Sequence, residues 1–181
     1  MAGFKTKVTP EIEKLTDICR DNTSLDLSLY AKYDVKRGLR DINGKGVLAG
    51  LTQVSNVQAT KMVDGKEVPC AGKLSYRGYD IKDLTRGFIQ DDRYGFEEVA
   101  YLLLFGKLPD KQQLVDFTEL LANQRSLPTN FVRDVIMKAP SKDIMNGLSR
   151  SVLTLYSYDH NPDDTSLPNV LRQCLNLISV F

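Results

Sequence analysis

One stretch divides this chain into two kinds of sequence, Gly72-Lys73-Leu74-Ser75-Tyr76-Arg77-Gly78-Tyr79-Asp80-Ile81-Lys82-Asp83-Leu84. Within it, Asp80 is a residue type that caps helix N-termini, and we predict a short helix from Asp80 through Leu84 that ends at Gly87. After this point apolar residues recur at helical spacing to the end of the chain. From Tyr33 to Arg77 they do not, and we predict strands and turns there.

Five further helices are predicted after this stretch, from apolar periodicity and from residues that begin and end helices. Their expected starts are Phe96, Asp110 with Gln113 as a capping box, Pro128, Ser141, and Ser166 or Thr165. Gly106 with Pro109 is expected to end the first of the five, and Pro140 the third. In the last of them, Pro168 fits the first turn, where its missing N–H has no partner to lose.

The part of the chain before the dividing stretch contains one clear helix and one clear turn. Thr9-Pro10-Glu11 offers an N-cap, a proline at the first helical position and an acid near the positive end of the helix dipole, and Asp21-Asn22 ends that helix. Asp64-Gly65 between two strand-like runs is a hairpin signal. We predict a mainly α fold with a small strand or hairpin segment at about 46–76. Its three parts are an N-terminal helix and linker at 1–30, an irregular strand-and-turn segment at 31–79, and a helical part at 80–181.

Composition argues against several classes of function. Lysine and arginine number 24 and aspartate and glutamate 23, a net charge of +1, which makes no electrostatic case for nucleic acid or an anionic membrane as a partner. No stretch approaches the roughly 20 apolar residues of a membrane span, and the N-terminus has no apolar signal segment. Three widely spaced cysteines, Cys19, Cys70 and Cys174, favour reduced thiols over disulfides or a zinc site. We expect a soluble, cytoplasmic chain without a metal or a cofactor.

Residues that carry chemistry are few. His160, the one histidine, lies in a polar turn; it is either a general base or, as we favour, a solvated loop residue, because no partner stands at a suitable spacing. Cys70 lacks a partner for nucleophilic catalysis. The glycines of 44–50 are interpreted as turn glycines, since no βαβ pattern surrounds them. The basic residues of 33–40 and Arg77 are assigned no role, so the sequence predicts no catalytic, cofactor-binding or metal-ligating residue.

The last predicted helix is apolar around nearly its whole circumference, which is typical of a buried helix. The chain stops at Phe181 without a cap, and leaving about five large apolar side chains exposed would forgo on the order of 10 kcal/mol. The missing cover is either another chain or a missing part of this one; we favour the second and expect a truncated protein. The apolar positions of the last two helices fit a core and an interface equally well. As a candidate dimer interface we assign Leu148, Val152, Leu155, Leu171, Leu175 and Ile178.

The dividing stretch also resembles a known signature, the Gly-x-Leu-x-Tyr-Arg-Gly-Tyr-x-Ile-x-x-Leu pattern near the front of citrate synthases. Four other segments are similar to that family in the same order, 33–40, 46–52, 96–109 and 151–159. Where many members have His-Pro-Met, this chain reads Ala139-Pro140-Ser141, which suggests a subfamily. The resemblance implies a citrate-synthase-like multihelical large domain, of which this chain is the N-terminal part, with the remainder of that domain and the small domain absent.

For function, the resemblance implies a homodimeric acyltransferase of the tricarboxylic acid cycle. Such an enzyme condenses acetyl-CoA, a substrate rather than a cofactor, with oxaloacetate and hydrolyses citryl-CoA. A carboxylate removes a methyl proton from acetyl-CoA, one histidine stabilises the enol, and a second polarises the keto group of oxaloacetate. The motifs that carry these groups do not occur in this chain, and His160 matches none of them, so we expect the fragment alone to be inactive. The alternatives are a 2-methylcitrate synthase, which uses propionyl-CoA, and a non-catalytic interaction module with a similar front half.

Overall fold

The structure, a computed structural model, describes residues 7–33, 35, 38–39, 47–48 and 50–181. The chain divides into two compact units, the first with bounds Met1–Ile18 and Lys111–Phe181 and the second with bounds Cys19–Asp110. The predicted parts 1–30, 31–79 and 80–181 differ in their local secondary structure. That they are also domains stays a prediction. The elements in chain order are α1 (Pro10–Thr23), α2 (Ser28–Lys32), β1 (Ser55–Val63), β2 (Lys66–Tyr76), β3 (Tyr79–Asp80), α3 (Ile81–Gln90), α4 (Phe96–Phe105), α5 (Lys111–Ala122), a π-helical turn (Val132–Met137), α6 (Ile144–Tyr156) and α7 (Leu167–Val180).

The second unit contains the predicted hairpin. Strands β1 and β2 pair in antiparallel fashion along their length, with one register shift near Thr60. The turn residues Asp64 and Gly65 have φ values of 50° and 75°. Positive φ at both central residues is the requirement of a type I′ turn, whose twist matches that of the flanking strands. The hairpin prediction is confirmed, and its strands lie within the expected 46–76 range.

A second two-residue turn explains the Tyr-Arg-Gly-Tyr run of the dividing stretch. Arg77 (φ 49°) and Gly78 (φ 89°) connect β2 to β3, and the two flanking tyrosines pair across the turn. β3 ends at Asp80, whose carboxylate accepts the N–H of Lys82 at 2.9 Å and so caps α3 as predicted. The stretch is therefore a strand, a tight turn, a short strand and a helix cap in immediate succession.

Helix α3 is longer than predicted. The sequence predicts its end at Gly87, but the helix runs to Gln90, and the carbonyl of Gly87 accepts the N–H of Asp91 at 3.1 Å. A glycine inside a helix costs about 1 kcal/mol relative to alanine. Burial of one leucine, here Leu84, contributes about as much or more and offsets that cost.

Helix α4 contributes a buried apolar cluster to the second unit. Tyr101 is 1% exposed and both Leu102 and Phe105 are 0% exposed, and the rings of Tyr101 and Phe105 lie edge to face with centroids 4.6 Å apart. The helix ends at Gly106 as predicted, because a φ of 77° favours glycine there and its N–H donates to the carbonyl of Leu102 at 2.9 Å.

The first unit departs from the prediction after Pro128. The α-helix expected there is instead the π-helical turn Val132–Met137, none of whose side chains is buried. Apolar residues at helical spacing do not stabilise an α-helix unless packing covers them, which is why periodicity misled the prediction here. Phe131, which precedes the turn, is buried, with its ring centroid 6.0 Å from that of Tyr158.

Helix α6 begins with a different cap from the one predicted. The sequence predicts Ser141, but the N-cap is Asp143, whose carboxylate accepts the N–H of Asn146 at 3.2 Å. Ser141 Oγ accepts the N–H of Asp143 at 3.1 Å and so positions the capping residue. Both are good capping residue types, and sequence alone does not rank them.

Helix α7 begins as predicted, with Ser166 as N-cap and Pro168 in its first turn. Its buried residues are two leucines, Leu171 and Leu175, and three polar residues, Asn169, Arg172 and Asn176. Val170 and Phe181 are 38% and 51% exposed. Three polar side chains thus share the buried face of α7 with two leucines, an arrangement that the sequence analysis did not predict.

The core of the first unit brings the start of α1 together with the later helices. The predicted N-cap is present, since the N–H of Ile12 donates to Thr9 Oγ1 at 3.4 Å. The buried apolar residues of this unit are Ile12, Phe117, Leu121, Phe131, Leu155, Leu171 and Leu175. Among the residues that the structure describes, no helix combines the length and the apolar character needed to cross a membrane.

Candidate functional site

The corner between α6 and α7 holds a buried ion pair that the sequence analysis missed. Arg172 Nη2 lies 2.7 Å from Asp159 Oδ2 and 2.9 Å from Oδ1. The two side chains are 1% and 8% exposed. A charge in such a place requires a close counter-charge and further hydrogen bonds, because desolvation of each ion is costly.

Neighbouring amides supply those hydrogen bonds. Asn169 Oδ1 accepts from Arg172 Nε at 2.9 Å and from Nη2 at 2.7 Å. Gln173 Nε2 donates to Asp159 Oδ2 at 3.2 Å. On its other side, Asn169 Nδ2 donates to the carbonyls of Asn161 at 2.9 Å and Asp164 at 2.8 Å. The network therefore fixes the loop between the two helices as well as the helices themselves.

These contacts decide the ionisation of Asp159. Burial alone would raise its pKa, but hydrogen bonds from the backbone N–H of Asn161, from Arg172 and from Gln173, together with the charge of Arg172, outweigh burial and lower the pKa below the ordinary aspartate value. The carboxylate is thus ionised at neutral pH and has its oxygens committed to donors. It acts as a structural anchor and has no free lone pair directed at a substrate as a general base would need.

A cleft of about 230 Å³ adjoins this network on the same face of the first unit. Its walls are mostly apolar. They are formed by Val152, Leu155, Tyr156, Asp159, Pro162, Gln173, Asn176 and Leu177. The hydroxyl of Tyr156 donates to Asp163 Oδ1 at 2.9 Å, and this hydrogen bond raises the pKa of Tyr156. The walls of this cleft are mostly apolar, and its polar groups Asp159 and Tyr156 are already hydrogen-bonded. The cleft therefore suits packing against another surface better than it suits acid–base chemistry.

The exposed face of α6 extends this apolar surface. We define the α6 face as Ile144, Met145, Leu148, Val152 and Tyr156, which fall on one side of the helix at successive turns. Their exposed fractions are 76%, 68%, 38%, 40% and 53%. Exposed apolar residues in a continuous stripe mark an interaction surface more often than isolated ones do.

The six residues assigned to a dimer interface from sequence are divided by the structure. Leu148 and Val152 are exposed on the α6 face, and Ile178 is half-buried. The other three, Leu155, Leu171 and Leu175, are buried within the first unit. Whether the chain dimerises through any of them stays a prediction.

His160 lies in the loop of the same corner but takes no part in its network. Its side chain is exposed, and its imidazole has no hydrogen-bond or ion-pair partner among the described residues. The arrangement fits the interpretation of a solvated loop residue, since a general base needs an orienting partner or a substrate within reach.

The thiols are unpaired and partly buried. Cys19, Cys70 and Cys174 are free cysteines, and burial raises the pKa of the Cys174 thiol. A raised pKa makes a thiol less reactive. No group of three or more His, Cys, Asp or Glu side chains is placed to hold a metal ion within the described part of the chain.

Arg77, left without a role by the sequence, has a structural one in the second unit. Its Nε and Nη2 donate to the carbonyl of Leu103 at 3.3 Å and 2.8 Å. A cation near the last turn of α4 also complements the negative end of that helix dipole. The other basic candidates, Lys36, Arg37 and Arg40, lie outside the described residues, as do Gly44, Lys45, Gly46 and Ala49 of the glycine-rich stretch.

A polar stripe in α7 was the available signal for the ion pair. Asn169, Arg172 and Asn176 stand at spacings of three and four residues, so they share one face of a helix whose other residues are largely apolar. Polar residues aligned in this way predict buried hydrogen bonds. The partner Asp159 stands 13 residues from Arg172 along the chain, and that contact follows only from how the loop folds back.

Comparison with known proteins gives consistent matches. A family model described as "Citrate synthase, C-terminal domain" matches residues 39–181. The chain is 35% identical over 132 residues to the citrate synthase of Haloferax volcanii, covering 72% of this chain and 29% of that protein. It is 31% identical over 118 residues to the citrate synthase of Saccharolobus solfataricus, covering 65% and 28%. It is 37% identical over 106 residues to 2-methylcitrate synthase 2 of Corynebacterium glutamicum, covering 59% and 22%. The matched part is thus less than a third of the length of each of these curated relatives.

Proposed function

Because this chain belongs to the citrate synthase family, we propose that the whole protein condenses acetyl-CoA with oxaloacetate and water to give citrate and CoA. The match over residues 39–181 is the observation that carries this proposal. That range includes the dividing stretch, which the structure builds into a hairpin turn and the cap of α3. This chain then contributes helical scaffold rather than reacting groups.

The 181 residues alone are proposed to have no turnover. In support, His160 is exposed and without a partner among the described residues, and the buried carboxylate of Asp159 is bound to Arg172. The resemblance assigns proton abstraction and carbonyl polarisation to two histidines and an aspartate in motifs that this sequence lacks. A single unsupported imidazole does not divide acid and base work between two sides of the reacting carbons.

The test compares the 181-residue chain with the full product of the gene under identical conditions. Loss of thioester absorbance from acetyl-CoA in the presence of oxaloacetate is the readout, because three free thiols would react with a thiol reagent. We expect turnover by the full product and none above blank by the chain. Turnover by the chain alone would refute the assignment of the reacting groups, and none by either would favour the non-catalytic interaction module.

A second candidate function is 2-methylcitrate synthesis from propionyl-CoA and oxaloacetate. It is favoured by the relatives of that name, including the one in Corynebacterium glutamicum and one in Shewanella oneidensis that is 41% identical over 68 residues. One extra methylene in an apolar pocket changes the free energy of the transition state by only about 1–3 kcal/mol. The ratio of kcat/KM for propionyl-CoA and acetyl-CoA decides between the two, with a ratio well above one assigning the methylcitrate reaction.

Homodimer formation through the α6 face is part of the same proposal. In support, this face is exposed and apolar, and it adjoins the cleft beside the ion pair. A stable interface buries roughly 1,200–2,000 Å² in total, so two copies of an apolar helix face and its surroundings are needed. A cytoplasmic location goes with this proposal, supported by the three unpaired cysteines.

Light scattering with two charge variants tests the dimer. Leu148→Arg and Val152→Arg place a cation on the exposed part of the proposed interface and are expected to convert a dimer to a monomer without unfolding it. Val115→Arg is the matched control, since Val115 is also an exposed apolar helix residue, at 58%, but lies on α5. A wild-type chain that is monomeric at micromolar concentration, or a dimer that the control breaks equally well, would contradict this interface.

A further inference from the structure

The antiparallel hairpin of β1 and β2 has an apolar side. Side chains alternate between the two faces of a strand, and residues that pair across two strands share a face. Three pairs lie on one side of this hairpin, because positions 57, 61 and 63 of β1 are separated by even numbers of residues: Val57 with Leu74, Lys61 with Val68 and Val63 with Lys66. We name this side, with these six side chains, the hairpin face.

The opposite side of the hairpin is more polar, and its polar groups have partners within the second unit. Thr60 and Glu67 lie there, and Thr60 Oγ1 donates to Glu67 Oε1 at 2.7 Å. Lys73 also lies there and forms an ion pair with Asp80, with 3.8 Å between Nζ and Oδ2. The hairpin is therefore amphipathic.

The hairpin face is exposed. All nine residues of β1 are exposed, with Val57 at 75% and Val63 at 42%. A two-stranded hairpin is only marginally stable in water unless another layer packs against its apolar side. An apolar side that is exposed and bordered by polar residues indicates an interaction surface.

The charged side chains of the hairpin face are both positive. Lys61 and Lys66 are diagonal neighbours, because Lys66 pairs with Val63, two residues along β1 from Lys61. Neither lysine has an ion-pair partner among the described residues. A second copy of the same face would bring four lysines together, which repulsion disfavours. The charges therefore favour a partner that carries carboxylates.

The length of the hairpin face fits a helix. From Val57 to Val63 the strand rises by about 20 Å, and a helix of about 13 residues has the same length. A helix packed on a sheet face is a common way to cover apolar side chains. Addition of a strand at the free edge of β1 is less well supported. Gln58 Nε2 donates to the carbonyl of Thr60 at 3.3 Å and so occupies a backbone acceptor of that strand.

We propose that the hairpin face docks an amphipathic helix of a partner polypeptide, whose apolar stripe packs on Val57, Val63 and Val68 and whose flanking carboxylates pair with Lys61 and Lys66. The proposal goes beyond the condensation reaction, because it assigns a partner to a surface without reacting groups. Its failure therefore leaves the proposed function unaffected.

Fluorescence anisotropy tests the proposal with the 181-residue chain and two labelled helical peptides of about 14 residues. Both peptides carry leucines at helical spacing in an alanine background, with glutamates beside the leucines in one and lysines in the other. We expect saturable binding of the acidic peptide, about tenfold tighter than that of the basic one and weaker as salt is added. Val57→Ser removes an apolar contact and is expected to weaken this binding several-fold.

Charge reversal separates docking from misfolding. Lys61→Glu combined with Lys66→Glu is expected to reverse the preference, so that the basic peptide binds more tightly, a gain that a misfolded protein does not produce. Lys111→Glu combined with Lys142→Glu makes the same change in net charge at exposed residues of the first unit and is expected to leave the preference unchanged. Met62→Ser is the apolar control, because Met62 is 67% exposed but lies on the opposite side of the hairpin.

Three results would overturn the proposal directly: no saturable binding of the acidic peptide, equal binding of the two peptides, or an unchanged preference after charge reversal. Binding of phosphatidylserine vesicles without binding of the acidic peptide would also overturn it and assign the face to an anionic membrane. Self-association that the Lys61→Glu and Lys66→Glu variant abolishes, again without binding of the acidic peptide, would assign the face to a second copy instead.

Discussion

Replacing Asp159 with asparagine tests whether the buried ion pair anchors the corner between α6 and α7. The substitution keeps the size of the side chain but removes the ion-pair partner of the Arg172 guanidinium, which is 1% exposed. The two hydrogen bonds of 2.7 Å and 2.9 Å from Arg172 Nη2 to the carboxylate then lose their charged acceptor. The two bonds from Arg172 to Asn169 remain.

The expected loss in the free energy of unfolding is about 3–5 kcal/mol, the usual cost of removing one partner from a buried pair. Hydrogen bonds to charged groups are worth about 1.5–3 kcal/mol each, so two of them give a similar total. Urea unfolding followed by circular dichroism measures the change. The matched control is Asp134→Asn, because Asp134 also receives two bonds from an arginine, at 2.9 Å and 2.8 Å, but with side chains 48% and 70% exposed. The control is expected to lose less than about 1 kcal/mol.

A double-mutant cycle separates the pair from the individual side chains. Asp159→Asn combined with Arg172→Met removes both charges, and we expect the double variant to lose at least about 2 kcal/mol less than the sum of the single losses. A loss at Asp159 no larger than that of the control, or additive single losses, would refute the anchoring role.

Three further outcomes follow from the same structure. Because folding lowers the pKa of Asp159, the stabilisation by its carboxylate is complete above the ordinary aspartate pKa of 3.8 and is lost as the pH falls below that value. Acid unfolding of the wild type should include this loss, and acid unfolding of Asp159→Asn should not. Arg77→Met removes two hydrogen bonds to a carbonyl of α4 and should cost about 1–3 kcal/mol in urea unfolding, and a loss below about 0.5 kcal/mol would contradict the structural role of Arg77. Gly106→Ala should cost more than about 1 kcal/mol, since φ is 77° and the new Cβ would lie 2.9 Å from Asn22 Cβ. Gly147→Ala, inside α6 with no atom within 4 Å of the new Cβ, should instead raise stability by about 0.5–1 kcal/mol, and equal effects of the two substitutions would contradict this assignment.

The dividing stretch shows how one short segment carries both structure and resemblance. Its arginine and glycine form the turn between β2 and β3, and its aspartate caps α3. The φ of 89° at Gly78 favours glycine, and the helix cap at Asp80 favours a short polar residue. We therefore assign structural roles, in a turn and a helix cap, rather than catalytic roles to the residues that resemble the citrate synthase signature.

Capping and turn residues correctly predicted those helix ends and turns that depend on the local backbone. Thr9 with Pro10 begins α1, Asp64-Gly65 turns the hairpin and Gly106 ends α4, and in each case backbone conformation or a neighbouring N–H decides the outcome. Predictions failed where packing decides. Gly87 lies inside a helix, and the apolar residues after Pro128 form a π-helical turn with no buried side chain.

The candidate site divides in the same way. Sequence was sufficient to predict the apolar stripe on α6, because helical spacing is a property of the chain itself. The burial of Arg172 was decided by tertiary structure, since a charge enters the interior only where a counter-charge such as Asp159 meets it from another segment. The burial of Gln124 Oε1, an oxygen without a hydrogen-bond partner among the described residues, was decided in the same way, because it follows from how the surrounding helices pack. Local sequence thus determined most of the helices and turns, and long-range contacts alone determined which polar groups they enclose.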